Sequence, residues 1–258
     1  MNCKICNREA QRAFSAKMLG KYEVQYYLCG SCGFLQTEAP YWLEESYGPA
    51  ISAFDTGLIA RNISLSKKVS ALAYFLFDHK ASFLDYAGGY GVFTRLMRDA
   101  GFDFYWHDPY SQNLVARGFE YDGTTEIDLI TTFESFEHFT DPLAELEKLM
   151  AISGNILFST ELLPSPVPPP GSWWYYGLEH GQHISFYSRE TLRYLAAKLG
   201  VNVHSYGSTL HLFTSRKINP NAFFFVMKFR RLLLGHVSMR MKSKTLDDML
   251  YLQSRVQR

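Results

Sequence analysis

Residues 83–91 read Phe83-Leu84-Asp85-Tyr86-Ala87-Gly88-Gly89-Tyr90-Gly91, an apolar stretch that ends in a carboxylate and turns through glycines into the amphipathic run from Val92 to Arg98. That order permits little besides a strand, a tight turn and a helix. Glycine admits φ > 0 and lets a ligand approach the main chain, while the helix that follows opens with unpaired N–H groups. The segment is therefore expected to cradle a nucleotide-type cofactor. A dinucleotide fingerprint requires Gly-x-Gly-x-x-Gly, and the frame from Gly89 puts Thr94 at the last position, where helix packing needs a small residue. A phosphate loop requires Gly-Lys-Ser/Thr, yet no lysine lies between Ala81 and Lys148. NAD and nucleoside triphosphates are both disfavoured.

The pattern around this loop is one of alternating strands and helices. Strands are expected at 82–86, 102–107, 117–121, 128–133 and 154–160, and helices at 91–100, 111–116 and 141–151. Such alternation implies a doubly wound, parallel α/β sheet. Upstream, residues 56–79 carry apolar side chains at helical spacing. Downstream, Pro164-Ser165-Pro166-Val167-Pro168-Pro169-Pro170-Gly171 must be an extended loop. A helix then opens at Ser188 with Glu190 and Thr191 and closes at Gly200, and strands at 201–206 and 209–214 flank a Gly207-Ser208 turn as an antiparallel edge pair.

All four cysteines fall in the first 32 residues, as Cys3-x-x-Cys6 and Cys29-x-x-Cys32. Two such pairs suit one tetrahedral zinc ion, and four protein ligands close the site, so the zinc is expected to be structural. A redox pair or unrelated thiols are the competing readings. The stretch Glu23-Val24-Gln25-Tyr26-Tyr27-Leu28 reads as a strand leading into the second pair, the build of a zinc ribbon. The apolar content of 47% is that of a globular protein, and no apolar run reaches the roughly 20 residues of a membrane span. The N-terminus has no apolar signal-peptide core, and the expected compartment is the cytoplasm. Net charge is +1, yet residues 216–258 carry ten Lys/Arg against two Asp, which leaves −7 on residues 1–215. An acidic body repels a phosphate backbone, so nucleic acid is not an expected partner.

The spacing Asp85-x-Ala87-x-Gly89-x-Gly91 resembles motif I of the class I S-adenosylmethionine-dependent methyltransferases, usually Asp/Glu-x-Gly-x-Gly-x-Gly, with Ala87 as the departure. The run Asp128 to Pro142, containing Glu137-His138-Phe139-Thr140-Asp141-Pro142, resembles that family's fourth strand and the turn after it. The resemblance covers about residues 50–215 and implies a Rossmann-like, mostly parallel seven-stranded sheet whose last strand inserts antiparallel, with S-adenosylmethionine as cofactor. It implies that Asp85 meets the cofactor's amino group, that Ala87, Gly88, Gly89 and Gly91 form the loop beneath it, and that Thr132 and Phe133 line the pocket. Asp108 lies 23 residues past Asp85, close to the offset of about 20 at which an acid takes ribose hydroxyls; a helix N-cap before Ser111 is the competing role. Phe119 stands where the family faces the adenine, with a core role as the alternative. In the family the Glu137-His138 pair shapes the turn.

Beyond the proline loop, Trp173-Trp174-Tyr175-Tyr176-Gly177-Leu178-Glu179-His180-Gly181-Gln182-His183 forms a loop rich in aromatic and titratable groups, expected to act as a lid over substrate. A hydrophobic plug with surface histidines is the alternative. The four-cysteine module, the class I domain and the stretch Gln182-His183-Ile184-Ser185-Phe186-Tyr187-Ser188 together resemble the deoxysugar C-methyltransferases, whose Glu-His-x-Ser-Tyr-Phe-Ser places His183 on the proposed base. Gln182 replaces that glutamate, and Glu179 is the candidate to orient the base, with His180 beside it. That group also carries a further C-terminal α/β domain, in whose place this chain has only its basic tail.

The expected organisation is a zinc ribbon at 1–45, a methyltransferase domain at 46–215 and a basic helical tail at 216–258. The acceptor implied is a small polar molecule, a sugar or nucleotide-linked sugar. A ribosomal RNA base methyltransferase and a non-catalytic cofactor- or partner-binding protein are the rival functions. For the tail, docking onto the core or onto a second subunit of an oligomer competes with contact at a membrane surface.

Overall fold

The computed structural model describes residues 1–47 and 55–256. In chain order the elements begin with β1 (Gln11–Met18), β2 (Tyr22–Leu28), β3 (Leu35–Thr37), α1 (Leu43–Ser46) and α2 (Leu58–Leu76). Then come β4 (Ser82–Tyr86), α3 (Val92–Asp99), β5 (Asp103–His107), β6 (Ile127–Thr132), α4 (Pro142–Ile152) and β7 (Asn155–Ser159). The chain continues with β8 (Ser185–Phe186), α5 (Arg189–Leu199), β9 (Asn202–Tyr206), β10 (Leu210–Thr214), α6 (Pro220–Arg240) and α7 (Thr245–Val256). These elements form two compact units, each discontinuous in sequence: Met1–Pro49 with Phe133–Arg216, and Ala50–Thr132 with Lys217–Arg258.

In the second unit, β4 lies between β5 and β6 and runs parallel to both. Phe83 and Leu84 are fully buried, as a parallel strand covered on both faces requires. The helix α3 turns Phe93, Thr94, Met97 and Arg98 inward. The basic tail is two helices rather than one. Helix α6 packs against α2, and α7 is tied down where Arg98 donates to both carboxylate oxygens of Asp248 at 2.8 and 2.7 Å. Docking onto the body is therefore what the tail does. Among the described residues no helix is long and apolar enough to cross a membrane.

In the first unit, β10 runs antiparallel between β7 and β9. The second unit thus carries three parallel strands and the first three antiparallel ones, an α/β fold with strands of both senses. The third expected strand, at 117–121, is reduced to a single bridge between Trp106 and Glu120. The helix expected at 111–116 is absent too, because Asn113 spends its side-chain carbonyl on the Ala116 N–H and its amide on Glu120, folding the segment into an irregular turn. Helix α5 matches the cap signals: Ser188 and Thr191 satisfy each other's backbone N–H, and Gly200 ends the helix at φ 69°.

The cysteine-bearing segment does not stand alone. Its antiparallel strands β1-β2-β3 are extended by β8, which arrives from residues 185–186. Met18, Val24, Tyr26, Leu35 and Trp42 share one buried core with Leu163, Tyr175, Tyr176, Ile184 and Phe186. The loop expected to be a lid is consequently a fixed layer of this unit. The Trp42 indole donates to the Gly181 carbonyl at 2.8 Å, the Leu19 N–H to Leu178 at 2.8 Å, and the Gln182 amide to Ser46 at 2.8 Å.

Candidate functional site

The residues expected to hold the cofactor belong to the second unit, apart from Phe133, which belongs to the first. At the end of β4, Asp85 is 2% exposed and accepts hydrogen bonds from the Thr94 hydroxyl at 2.9 Å and the Thr131 hydroxyl at 3.4 Å. Burial pushes its carboxyl up to about 7, against the pull of those two hydroxyls. The turn that follows carries two demanding glycines. A Cβ on Gly88 would stand 2.7 Å from the Trp106 ring and 2.8 Å from an Asp85 oxygen, and one on Gly91, at φ 83°, would stand 2.6 Å from Asn113 Oδ1. Gly89 is different: no atom lies within 4 Å of where its Cβ would be, so bare backbone faces open space. Ala87 takes up the left-handed conformation at φ 58°, at the position where the resembled motif has glycine.

Asp108 holds this loop to the end of β5. One of its oxygens accepts from the Gly89 N–H at 2.9 Å, and the other accepts from the N–H groups of Tyr110 and Ser111 at 2.8 and 3.0 Å. The carboxylate thus caps a turn rather than a helix, and it retains further acceptor capacity. The indole of Trp106 donates to the Gly89 carbonyl at 2.9 Å. Neither Trp106 nor Asn113 stands out in the sequence as a loop support, because each acts across a distance that no local motif encodes. Phe119 is buried, as the core role offered for it requires: its ring lies under the Arg98 guanidinium, whose carbon is 3.6 Å from the centroid, and beside Tyr251. Thr132 closes β6 and is buried, and Phe133 follows it half-buried.

The histidines gather in the first unit. His183 is 8% exposed, and its Nδ1 lies 2.6 Å from the Tyr175 carbonyl, which can only accept; Nδ1 thus carries the proton and Nε2 the lone pair. This carbonyl orients the ring, and Glu179, which is exposed, does not. The rings of His138 and His180 lie 5.1 and 4.7 Å from that of His183. His180 accepts on Nδ1 from the Gln182 N–H at 3.2 Å. Burial pushes His138 down to about 4 and His183 well below its ordinary value, and neighbouring imidazoles add to both shifts. Both rings are therefore neutral at pH 7. His138 sits in a single 3₁₀ turn, Phe136–His138, with the fully buried Glu137 beside it, and Tyr47 meets its Nδ1 at 3.1 Å.

At the N-terminus the four cysteine Sγ atoms lie within 4.8 Å of one another, with Cys3–Cys32 at 3.6 Å and Cys6–Cys29 at 3.4 Å. Zinc–sulfur bonds of about 2.3 Å in a tetrahedron put sulfurs about 3.8 Å apart. The Ile5 N–H points at Cys3 Sγ at 3.4 Å, and a thiol hydrogen bond from Cys32 lowers Cys3 to about 5, toward the ligating thiolate. The residues present fit a structural zinc site of four thiolates.

Residues 59–206, more than half of the chain, match the family described as methyltransferase domain. The chain belongs to this family. Among curated proteins, none matches the sequence. Among solved structures, the chain is similar to TnmH, at 18% identity over 69% of this chain and 62% of that one, with a TM-score of 0.47. It is also similar to human N-acetylserotonin methyltransferase in complex with SAM, at 17% identity over 67% of this chain and 61% of that one, with a TM-score of 0.45. A third is CalO1, a methyltransferase in calicheamicin biosynthesis, at 14% identity over 69% and 67%, with a TM-score of 0.44. The chain spans about three fifths of the length of the first two.

Proposed function

We propose that this protein transfers a methyl group from S-adenosylmethionine to a small polar acceptor, a sugar or nucleotide-linked sugar. Bound cofactor supplies an electrophilic methyl on a sulfonium centre. Asp85 would hold its amino group, and that cation would draw the buried carboxyl into its charged form. The backbone from Ala87 to Gly91 offers the close approach such a ligand needs, Asp108 takes the ribose hydroxyls on its remaining lone pairs, and Thr132 and Phe133 line the pocket.

One observation carries the choice of base: the neutral, buried His183 with Nδ1 fixed on the Tyr175 carbonyl. Its Nε2 can take the α proton of a carbon beside a ketone, or the proton of a hydroxyl. Methyl transfer is an in-line displacement, so positioning contributes more than acid strength. The layer that Leu163, Tyr175, Tyr176, Ile184 and Phe186 form in the core of the cysteine-bearing sheet supports such positioning, with the zinc as a structural element of residues 1–45 and the helices of 216–258 as a docked tail.

Isothermal titration with S-adenosylmethionine and its demethylated product tests the cofactor, and absence of heat with both would refute the proposal. Release of the demethylated product is then followed over a panel of keto- and hydroxy-sugar nucleotides. His183→Ala should leave cofactor affinity unchanged and lower turnover by about 10²–10⁴; full turnover would remove it as the base.

A further inference from the structure

Three side chains converge in the first unit on donors that suit a metal ion better than one another. Glu137, His138 and His183 each present one ligand atom, and these atoms lie within 4.8 Å of one another. The separation of His138 Nε2 from Glu137 Oε1 is 3.9 Å, beyond hydrogen-bond reach. Ligands about 2.0–2.2 Å from a shared ion stand roughly 3.0–3.6 Å apart, so closure needs movements of only about 1 Å or less.

The surrounding contacts set both rings for ligation. In each histidine Nδ1 is engaged from outside: His183 by the Tyr175 carbonyl at 2.6 Å, His138 by the Tyr47 hydroxyl at 3.1 Å. The carbonyl fixes the His183 tautomer and leaves Nε2 to an ion, the usual support of a metal-binding histidine, whereas the Tyr47 hydroxyl can donate or accept and so admits the His138 tautomer whose Nε2 ligates.

We propose that Glu137, His138 and His183 form a second metal site, distinct from the four cysteines, for a divalent first-row transition ion. Two imidazoles and one carboxylate are the donor set of such ions and leave coordination positions open. Those positions would take oxygen donors of the acceptor, such as a hydroxyl beside a carbonyl or a second hydroxyl, and in the metal-loaded protein a hydroxide on the ion would accept the acceptor's proton, becoming water, in place of Nε2 of His183; this last step rests on the methyl-transfer proposal, and the site itself does not.

The test is a cobalt(II) titration of the metal-stripped, full-length protein under reducing conditions, followed by absorption. Cobalt at the cysteines gives an intense thiolate charge-transfer band in the near ultraviolet. Cobalt at the new site gives weak visible bands and no thiolate transfer. The expected result is two cobalt ions per chain, of which only one contributes to the charge-transfer band. His183→Gln and Glu137→Gln should each lower the count to one and leave that band intact, which also reports that the cysteine site has formed. Saturation of the unaltered protein at one ion overturns the proposal, whatever the variants do, and so does a second ion that persists in both variants. Because the readout is cobalt and no cofactor is present, failure here is separate from failure to bind S-adenosylmethionine.

Discussion

Asp85 offers the sharpest test of how the cofactor site is built. Its carboxyl is raised from an ordinary value near 4 to about 7 because it is buried at the end of β4. Between those values the folded chain keeps a proton that the unfolded chain has released, so stability falls as pH rises through the interval. Some three units at about 1.36 kcal/mol each amount to about 4 kcal/mol lost by pH 8. Asp85→Asn removes this titration. It also disturbs the hydrogen bonds from Thr94 and Thr131, at a cost of about 1 kcal/mol. The variant without cofactor is therefore expected to be about 3 kcal/mol more stable than the parent at pH 8 and slightly less stable at pH 4. Urea denaturation of both proteins from pH 4 to 9 measures the difference, in which all other titrating groups cancel. A difference that stays constant across this range would refute the assignment of a buried, protonated Asp85. The same substitution should weaken binding of S-adenosylmethionine, so that a residue which destabilises the empty fold is retained for its ligand.

Ala87→Gly should stabilise the protein by about 0.5–1 kcal/mol, because relief of the left-handed alanine at φ 58° exceeds the added chain entropy; unchanged thermal melting would contradict this. Asp248→Ala leaves Arg98 buried without its bidentate partner, and a loss of about 3 kcal/mol is expected, at the low end for such pairs because Asp103 and the Phe104 carbonyl still hold the guanidinium. Proteolysis of α7 in that variant, with the body intact, would be the accompanying sign. His211, buried between Ser205 and the Thr160 carbonyl and lowered to about 4 by that burial, stays neutral while the unfolded chain protonates near 6.5. Stability should therefore drop by about 3 kcal/mol as pH falls from 6.5 to 4, and His211→Gln should abolish that share of the slope in the same urea series.

The parts of the molecule that could be read in advance are those whose causes are local. The order of apolar strand, carboxylate, glycines and amphipathic helix produced β4, its turn and α3 at the expected places, and Ser188 with Gly200 bounded α5 because caps act within three residues. The segment 111–121 failed for the opposite reason. Its fate depends on Asn113 satisfying Ala116 and Glu120 by side chain, which competes with both a helix and a strand at no visible cost in pattern. Phe119 likewise packs against Arg98, a residue on another element, a contact that no local spacing signals. At the histidine cluster the residue types were visible, but Glu179 was the wrong orienting group: the group that holds His183 is a backbone carbonyl, which sequence never singles out.

Short spacings alone carried the family of the domain and the convergence of the four cysteines, since each dictates local backbone and donor geometry. Only the tertiary structure decided that the aromatic loop is a fixed layer with its own place in the ribbon's core, and that Tyr47 reaches His138 across 91 residues. It alone brought Glu137 and His138 to His183. Such long-range meetings depend on which apolar faces bury together, and packing of that kind leaves no mark in the spacing of any one segment.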